Sequence, residues 1–182
     1  MPAGALERWH DFYVLLGTAA ATLVGLTFVA ASIGVGVLTQ DHEAGLKAFI
    51  TPTLVHFAAI LVACLLIIAP FASVALLGAV LAVEAIVGVA YSVNVLLHIR
   101  RHAIASSLLL VDRVWYAAIP IVAYAVFAGA AAALTRGALT SLVVLASGLG
   151  LLLLAGIRNA WDMALWIMMR PRGTAAEKSE KG

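Results

Sequence analysis

Residues 49–70 have the sequence FITPTLVHFAAILVACLLIIAP. This stretch contains no Lys, Arg, Asp or Glu. A helix that crosses a lipid bilayer needs about 20 mainly apolar residues, and residues 49–70 supply that length. The apolar run is continuous rather than alternating, which favours a membrane-spanning helix over a barrel strand.

Four more stretches have the same character, namely residues 12–38, 73–98, 114–134 and 140–161. Of the 182 residues, 64% are hydrophobic and 11% are charged, whereas about 25% are charged in an average soluble domain. This composition excludes a soluble enzyme, a disordered chain and a disulfide framework. We predict an all-α, polytopic membrane helix bundle with five transmembrane helices, forming one domain over residues 1–170.

The polar segments between and beyond the spans are short. We expect residues 1–11 to form a tail, residues 40–47 to form a loop and residues 171–182 to be a disordered polar tail. The pattern of the last helix continues to residue 169, which makes it too long for one perpendicular crossing. Either it bends at Gly156, so that residues 157–169 lie in the membrane interface, or it tilts steeply.

Lys and Arg are distributed unequally between the two sides that five spans define. One side carries only Arg8 and Arg136, and Arg158, near the end of the last span, is left out of the count. The other carries eight: Lys47, Arg100, Arg101, Arg113, Arg170, Arg172, Lys178 and Lys181. Because positive charge accumulates on the cytoplasmic side, we expect the N-terminus outside and the C-terminus in the cytoplasm.

The first span contains small residues at four-residue spacing, Gly17, Ala21 and Gly25. Such a stripe allows a second helix backbone to approach closely. It predicts either a contact within the bundle or a dimerisation face.

Glu84 lies about midway along the third predicted span. At 100° per residue, Glu84, Tyr91 and His98 share one face with Gly88, and Asn94 lies on its flank. Ionisable residues at membrane depth are costly and often functional. The stripe predicts a proton relay or an aqueous half-channel; alternatively, Glu84 forms a structural hydrogen bond with a neighbouring helix.

Two other polar groups lie inside predicted spans. His56 shares a helix face with Thr53, and it is either a histidine bonded to a carbonyl or a ligand or proton carrier. The second group, near the end of the last span, consists of Arg158, Asn159 and Asp162. Arg158 and Asp162 are four residues apart and can pair. We expect a polar pocket near the cytoplasmic face, lined by residues at similar depth: Ser32, Thr53, His56, Tyr91, Asn94, Arg158 and Asn159.

Cofactor and catalytic signatures are absent from the sequence. Two facing intramembrane histidines are not evident, so we expect no haem. His98 and His102 are four residues apart, but we expect both to be loop or interface residues, and no Cys-x-x-Cys spacing predicts a metal site. The single Cys64 lies in an apolar run and is expected to be a small core residue. We therefore assign no catalytic, cofactor-binding or metal-binding residues.

Three short segments, WHDFY at residues 9–13, TPTLVHF at 51–57 and NAWD at 159–162, resemble a group of small bacterial multi-pass membrane proteins. The resemblance covers most of the membrane portion. That group carries no established activity, so the resemblance implies only a location in the bacterial cytoplasmic (inner) membrane.

We expect a non-enzymatic accessory or scaffolding subunit that acts through helix contacts. The alternative is an oligomeric conduit for ions, protons or small solutes that uses the Glu84 stripe and the pocket near His56. An intramembrane enzyme or cofactor binder is the third hypothesis. The expected partners are the lipid bilayer and a homo-oligomer or larger membrane complex, and we expect no nucleic acid.

Overall fold

A computed structural model of the protein describes residues 3–35, 40–101 and 114–168, which are helical apart from two turns. The helices in these ranges are α1 (Ala3–Val35), α2 (Gln40–Ile68), α3 (Val74–Arg101), α4 (Ile119–Thr135) and α5 (Ser141–Met168). A π-helical turn, Val114–Ala118, leads into α4. Each of the five contributes a stretch long and apolar enough to cross a membrane, with a mean hydropathy of 2.0 to 2.3. The prediction of a helical protein with five helices long and apolar enough to span a membrane is confirmed for the described residues.

The helices extend further than the apolar pattern indicates. Residues 3–11 and 40–47 were expected to be a tail and a loop, but the structure has them within α1 and α2. Ala, Leu, Glu and Lys, which are frequent there, are strong helix formers, so the helices continue past the apolar residues. Pro52 lies inside α2. The expected tail at residues 171–182 lies outside the described residues.

The last helix continues through Gly156 from Ser141 to Met168. This glycine serves as a contact with α2, because a Cβ added there would lie 2.5 Å from Cε1 of Phe57. The absence of a side chain at Gly156 therefore lets α2 and α5 pack closely.

The helices α2, α3, α4 and α5 form a ring in which each packs against two others, and α3 packs more extensively on α4 than on α2. α1 lies outside the ring, mainly along α2. We call the end that carries residues 69–73 and 136–140 the turn end, and the opposite end the loop end. At the turn end, the N–H of Leu76 donates to Oγ of Ser73, and Gly137 adopts a φ of +78° that favours glycine.

The outward faces of all five helices expose large apolar side chains. Five of them have between 54% and 70% of their surface exposed: Leu15, Leu65, Val83, Val122 and Leu154. An apolar surface on every side is costly in water and is suited to lipid. The exposed faces therefore fit the same membrane environment that the composition predicts.

The small residues of α1 do not form one contact face. Gly17 is buried against α2, where its added Cβ would lie 3.0 Å from Cβ of Cys64. Ala21 and Gly25 are exposed, and a Cβ at Gly25 would meet nothing within 4 Å among the described residues. A four-residue step turns a helix by 400°, so positions 17 and 25 differ by about 80° in direction.

Candidate functional site

A histidine and a tyrosine from different helices meet inside the ring. Nδ1 of His56, on α2, lies 3.2 Å from the hydroxyl of Tyr124, on α4. The residues are 1% and 0% exposed, respectively. Which of the two groups donates depends on the tautomer of the imidazole. The pair is a buried, hydrogen-bonded connection between two helices.

Two residues of α3 complete the surroundings of this pair. The ring of Tyr91 stands edge-on to the imidazole of His56, with 6.3 Å between the ring centroids. Gly88 lies directly beneath the ring of Tyr124, since an added Cβ would be only 2.2 Å from Cε1 of that ring. The bare backbone at Gly88 therefore fixes where the hydroxyl of Tyr124 points.

Glu84 lies one helical turn before Gly88 on α3. Each of its carboxyl oxygens has less than 1 Å² of exposed surface, and neither has a hydrogen-bond partner among the described residues. A charge on Glu84 acts electrostatically on Tyr124 and on Cys64. We call Glu84, His56, Tyr91 and Tyr124 the polar cluster; it contains one carboxyl, one imidazole and two phenols.

Sequence reasoning identified three members of the polar cluster, and the structure places these three in one region of the ring. Two other predicted residues, Asn94 and His98, are exposed on α3. Thr53 is buried on α2, one turn closer to the loop end than His56. The predicted stripe thus divides into a partly buried half, with Glu84 and Tyr91, and an exposed half, with Asn94 and His98.

The residues of the predicted group on α5 also differ in how deeply they are buried. Arg158 and Asp162 form an ion pair and are both partly exposed. Asn159 is 1% exposed, and neither atom of its side-chain amide has a hydrogen-bond partner in the described part of the chain. The hydroxyl of Tyr116, from the π-helical turn, lies 3.4 Å from the main-chain carbonyl of Asn159. π-Helical turns are frequent at functional sites.

Tyr124 was missed because a tyrosine within an apolar helix has the same local pattern as a core aromatic residue. Its role depends on α4 lying between α3 and α5, which the sequence does not reveal. Tyr13 was missed for the same reason: its hydroxyl donates to the carbonyl of Leu142 over 2.9 Å and so joins α1 to α5 near the turn end.

A cleft lies at the turn end of the protein. It is a cleft of about 680 Å³ between the start of α1 and the α2–α3 turn. The cleft has an acidic edge and an apolar floor, and its lining includes Glu7, Asp11, Ile67, Phe71 and Leu77. On α3 it reaches no further than Leu77, which is seven residues from Glu84. The cleft is thus separate from the polar cluster.

The polar cluster contains groups that can donate and accept protons. No group of three His, Cys, Asp or Glu side chains that could hold a metal ion occurs among the described residues. Carboxyl, imidazole and phenol groups each donate or accept protons, and chains of such groups form proton relays in membrane proteins.

No protein-family model, curated protein or solved structure matches this chain.

Proposed function

We propose that the chain is a membrane protein that carries protons, with Glu84 as the group that binds and releases the proton. The single observation that carries this proposal is the position of Glu84: a carboxyl about midway along a membrane-spanning helix, shielded and without a hydrogen-bond partner in the described residues. A carboxylate anion at such a position is costly unless a proton or a cation accompanies it.

The surroundings of Glu84 favour a proton over a metal cation. Ca²⁺ takes six to eight oxygen ligands, and Mg²⁺ requires an octahedral set. The polar cluster offers one carboxyl and two phenols, which is too few for either ion. A proton needs only one acceptor and a neighbouring group to which it can move.

His56 and Tyr124 provide such neighbouring groups. Each of them can accept a proton at one atom and donate one at the same or another atom. Their hydrogen bond already aligns the imidazole with the phenol. In the proposed mechanism, a proton moves between Glu84 and His56 with the hydroxyl of Tyr124 between them, while the ring of Tyr91 restricts rotation of the imidazole.

The proposal is tested with the full chain in proteoliposomes loaded with a pH-sensitive dye. After a potential is imposed, the wild type is expected to acidify or alkalinise the lumen. Glu84→Gln is expected to reduce this flux to that of empty liposomes, because the amide has nearly the same shape but does not release a proton. Circular dichroism of both proteins in detergent checks that the variant is folded.

Glu7→Gln is the matched control, because Glu7 is exposed near the start of α1, far from the polar cluster. It is expected to transport at the wild-type rate. A folded Glu84→Gln protein with wild-type flux would contradict proton transfer through Glu84.

An accessory or scaffolding subunit is the second candidate, and it is favoured by the exposed side of α1. The span of α1 is the least buried of the five, at 22%. Small residues face outward there, at Thr18, Ala21, Thr22 and Gly25, and small residues are typical of helix contacts in membranes. A subunit of this kind predicts unchanged flux in Glu84→Gln and loss of a co-purified protein in Gly25→Leu.

We also propose a location in the bacterial cytoplasmic membrane, with the turn end outside and the loop end in the cytoplasm. The excess of Lys and Arg in the segments at the loop end supports this orientation. A homo-oligomer is part of the proposal, because a ring of four helices encloses little space.

A further inference from the structure

The two halves of the ring differ in the polar groups they contain. Glu84 lies between them, about midway along α3. Each half of the ring either provides hydrogen-bonding groups along which a proton can reach Glu84, or it lacks them and blocks the proton. The buried side chains on either side of Glu84 distinguish these two outcomes.

The half towards the loop end contains buried polar groups at successive levels. Beyond the pair of His56 and Tyr124, Oγ of Ser92 lies eight residues past Glu84 on α3, about 12 Å along the axis. Ser92 is 2% exposed, and its hydroxyl has no hydrogen-bond partner among the described residues. The side-chain amide of Asn159 and Oδ2 of Asp162 are likewise inaccessible to solvent and have no hydrogen-bond partner among the described residues.

Buried polar atoms in proteins are nearly always hydrogen-bonded, either to protein or to water. Leaving the hydroxyl of Ser92 and the amide of Asn159 without any partner would carry the full desolvation penalty of each buried group. Water molecules bound at these atoms avoid that cost, since a buried water usually makes about three hydrogen bonds. The loop half thus has the composition of a hydrated passage.

The level of the ring next to Glu84 on its turn-end side is lined by apolar side chains. Leu77, at the floor of the turn-end cleft, is seven residues from Glu84 on α3, about 10 Å along the helix axis. Fully buried leucines lie at this level of the ring: Leu81, Leu134, Leu142 and Leu145. No side chain in this layer can pass a proton.

Three groups with an exchangeable proton do lie towards the turn end, Cys64, Tyr13 and Ser141. Cys64 is 1% exposed and packs against Gly17. The hydroxyl of Tyr13 donates to the main-chain carbonyl of Leu142, an acceptor that has no proton to pass on. The hydroxyl of Tyr13 therefore cannot pass a proton on through this hydrogen bond.

Ser141 is 5% exposed, and its Oγ has no hydrogen-bond partner among the described residues. It is the first residue of α5 and lies one helical turn before Leu145, on the far side of the leucines from Glu84.

We infer that Glu84 exchanges its proton with the loop end alone, through a water-binding passage lined by Ser92 and Asn159, and that the leucine layer closes the turn end. This inference rests on the proposed function, because it specifies the side from which protons reach Glu84. In this state the protein is a half-channel, and crossing to the turn end requires the leucine layer to open.

The single cysteine of the chain makes the test direct. Native Cys64 probes the turn half. In the Cys64→Ala background, Ser92→Cys and Asn159→Cys probe the loop half, and Arg136→Cys marks the turn end. Each full-length protein is reconstituted and treated with a hydrophilic, membrane-impermeant methanethiosulfonate, applied first to one side and then to the other, and the rate of modification is measured by mass spectrometry.

We expect Ser92→Cys to react at least an order of magnitude faster than Cys64, and only from the side opposite to the one that labels Arg136→Cys. The exchange of Ser for Cys is nearly isosteric, so Ser92→Cys keeps the test valid if Asn159→Cys fails to fold. Equal rates for Cys64 and Ser92→Cys would overturn the inference, as would labelling of Ser92→Cys from the Arg136 side or no labelling at all.

The two proposals fail in different experiments. If Glu84→Gln transports protons at the wild-type rate, the proposed function is wrong whatever the labelling pattern. If Glu84→Gln abolishes transport but Ser92→Cys does not react, the function stands and the passage through Ser92 is wrong.

Discussion

Gly78→Ala is expected to cause the largest loss of stability of any single methyl addition in the described helices. An added Cβ would lie 2.6 Å from the main-chain nitrogen of Thr135 and 2.9 Å from the carbonyl oxygen of Ala131. Both atoms belong to the backbone of α4, which cannot rotate away as a side chain does. The two most closely packed helices would have to separate, at a cost of about 1–3 kcal/mol or more.

The measurement is unfolding of the purified protein in detergent, followed by circular dichroism. Gly129→Ala is the matched control, because Gly129 lies on the exposed side of α4 and its added Cβ meets nothing within 4 Å among the described residues. We expect Gly129→Ala to unfold like the wild type. Identical unfolding of Gly78→Ala and Gly129→Ala would contradict the α3–α4 packing described here.

Gly88→Ala is expected to have the largest effect on transport of any substitution outside the polar cluster. The methyl group would lie 2.2 Å from Cε1 and 2.3 Å from Cδ1 of Tyr124, so the ring has to move and its hydroxyl leaves His56. We expect proton flux to fall by about 100-fold, the lower end of what a positioned proton-transfer group contributes. The flux assay in proteoliposomes measures this.

Tyr124→Phe separates the loss of the hydroxyl from the loss of packing. It keeps the ring over Gly88 and removes only the hydrogen bond to His56, which is worth about 0.6 kcal/mol on average within membranes. We therefore expect nearly normal stability and the same loss of flux as in Gly88→Ala. If Tyr124→Phe transports like the wild type, the hydroxyl is not part of the proton path.

The apolar pattern predicts the five spans because lipid imposes a length and a composition on any helix that crosses it. It does not predict where helices end, since that depends on propensity outside the lipid. Residues 40–47 illustrate this: their polar composition indicates a loop, yet the structure has them within α2.

Three members of the polar cluster, Glu84, His56 and Tyr91, could be predicted because polar groups within apolar runs are conspicuous. Tyr124 and Gly88 could not, because their importance comes from the packing of α3 on α4. Hydropathy can be read directly from the sequence, whereas the identity of the helices that pack against each other cannot. The small-residue pattern at Gly17 shows the same limit, since its spacing alone does not tell which glycine meets a helix.

The proton on Glu84 itself can be observed by infrared difference spectroscopy of the reconstituted protein between two pH values. We expect a carboxyl C=O band that changes with pH in the wild type and in Glu7→Gln and that is missing from Glu84→Gln. A band that persists unchanged in Glu84→Gln, or a wild-type spectrum with no pH-dependent carboxyl band, would contradict proton exchange at Glu84.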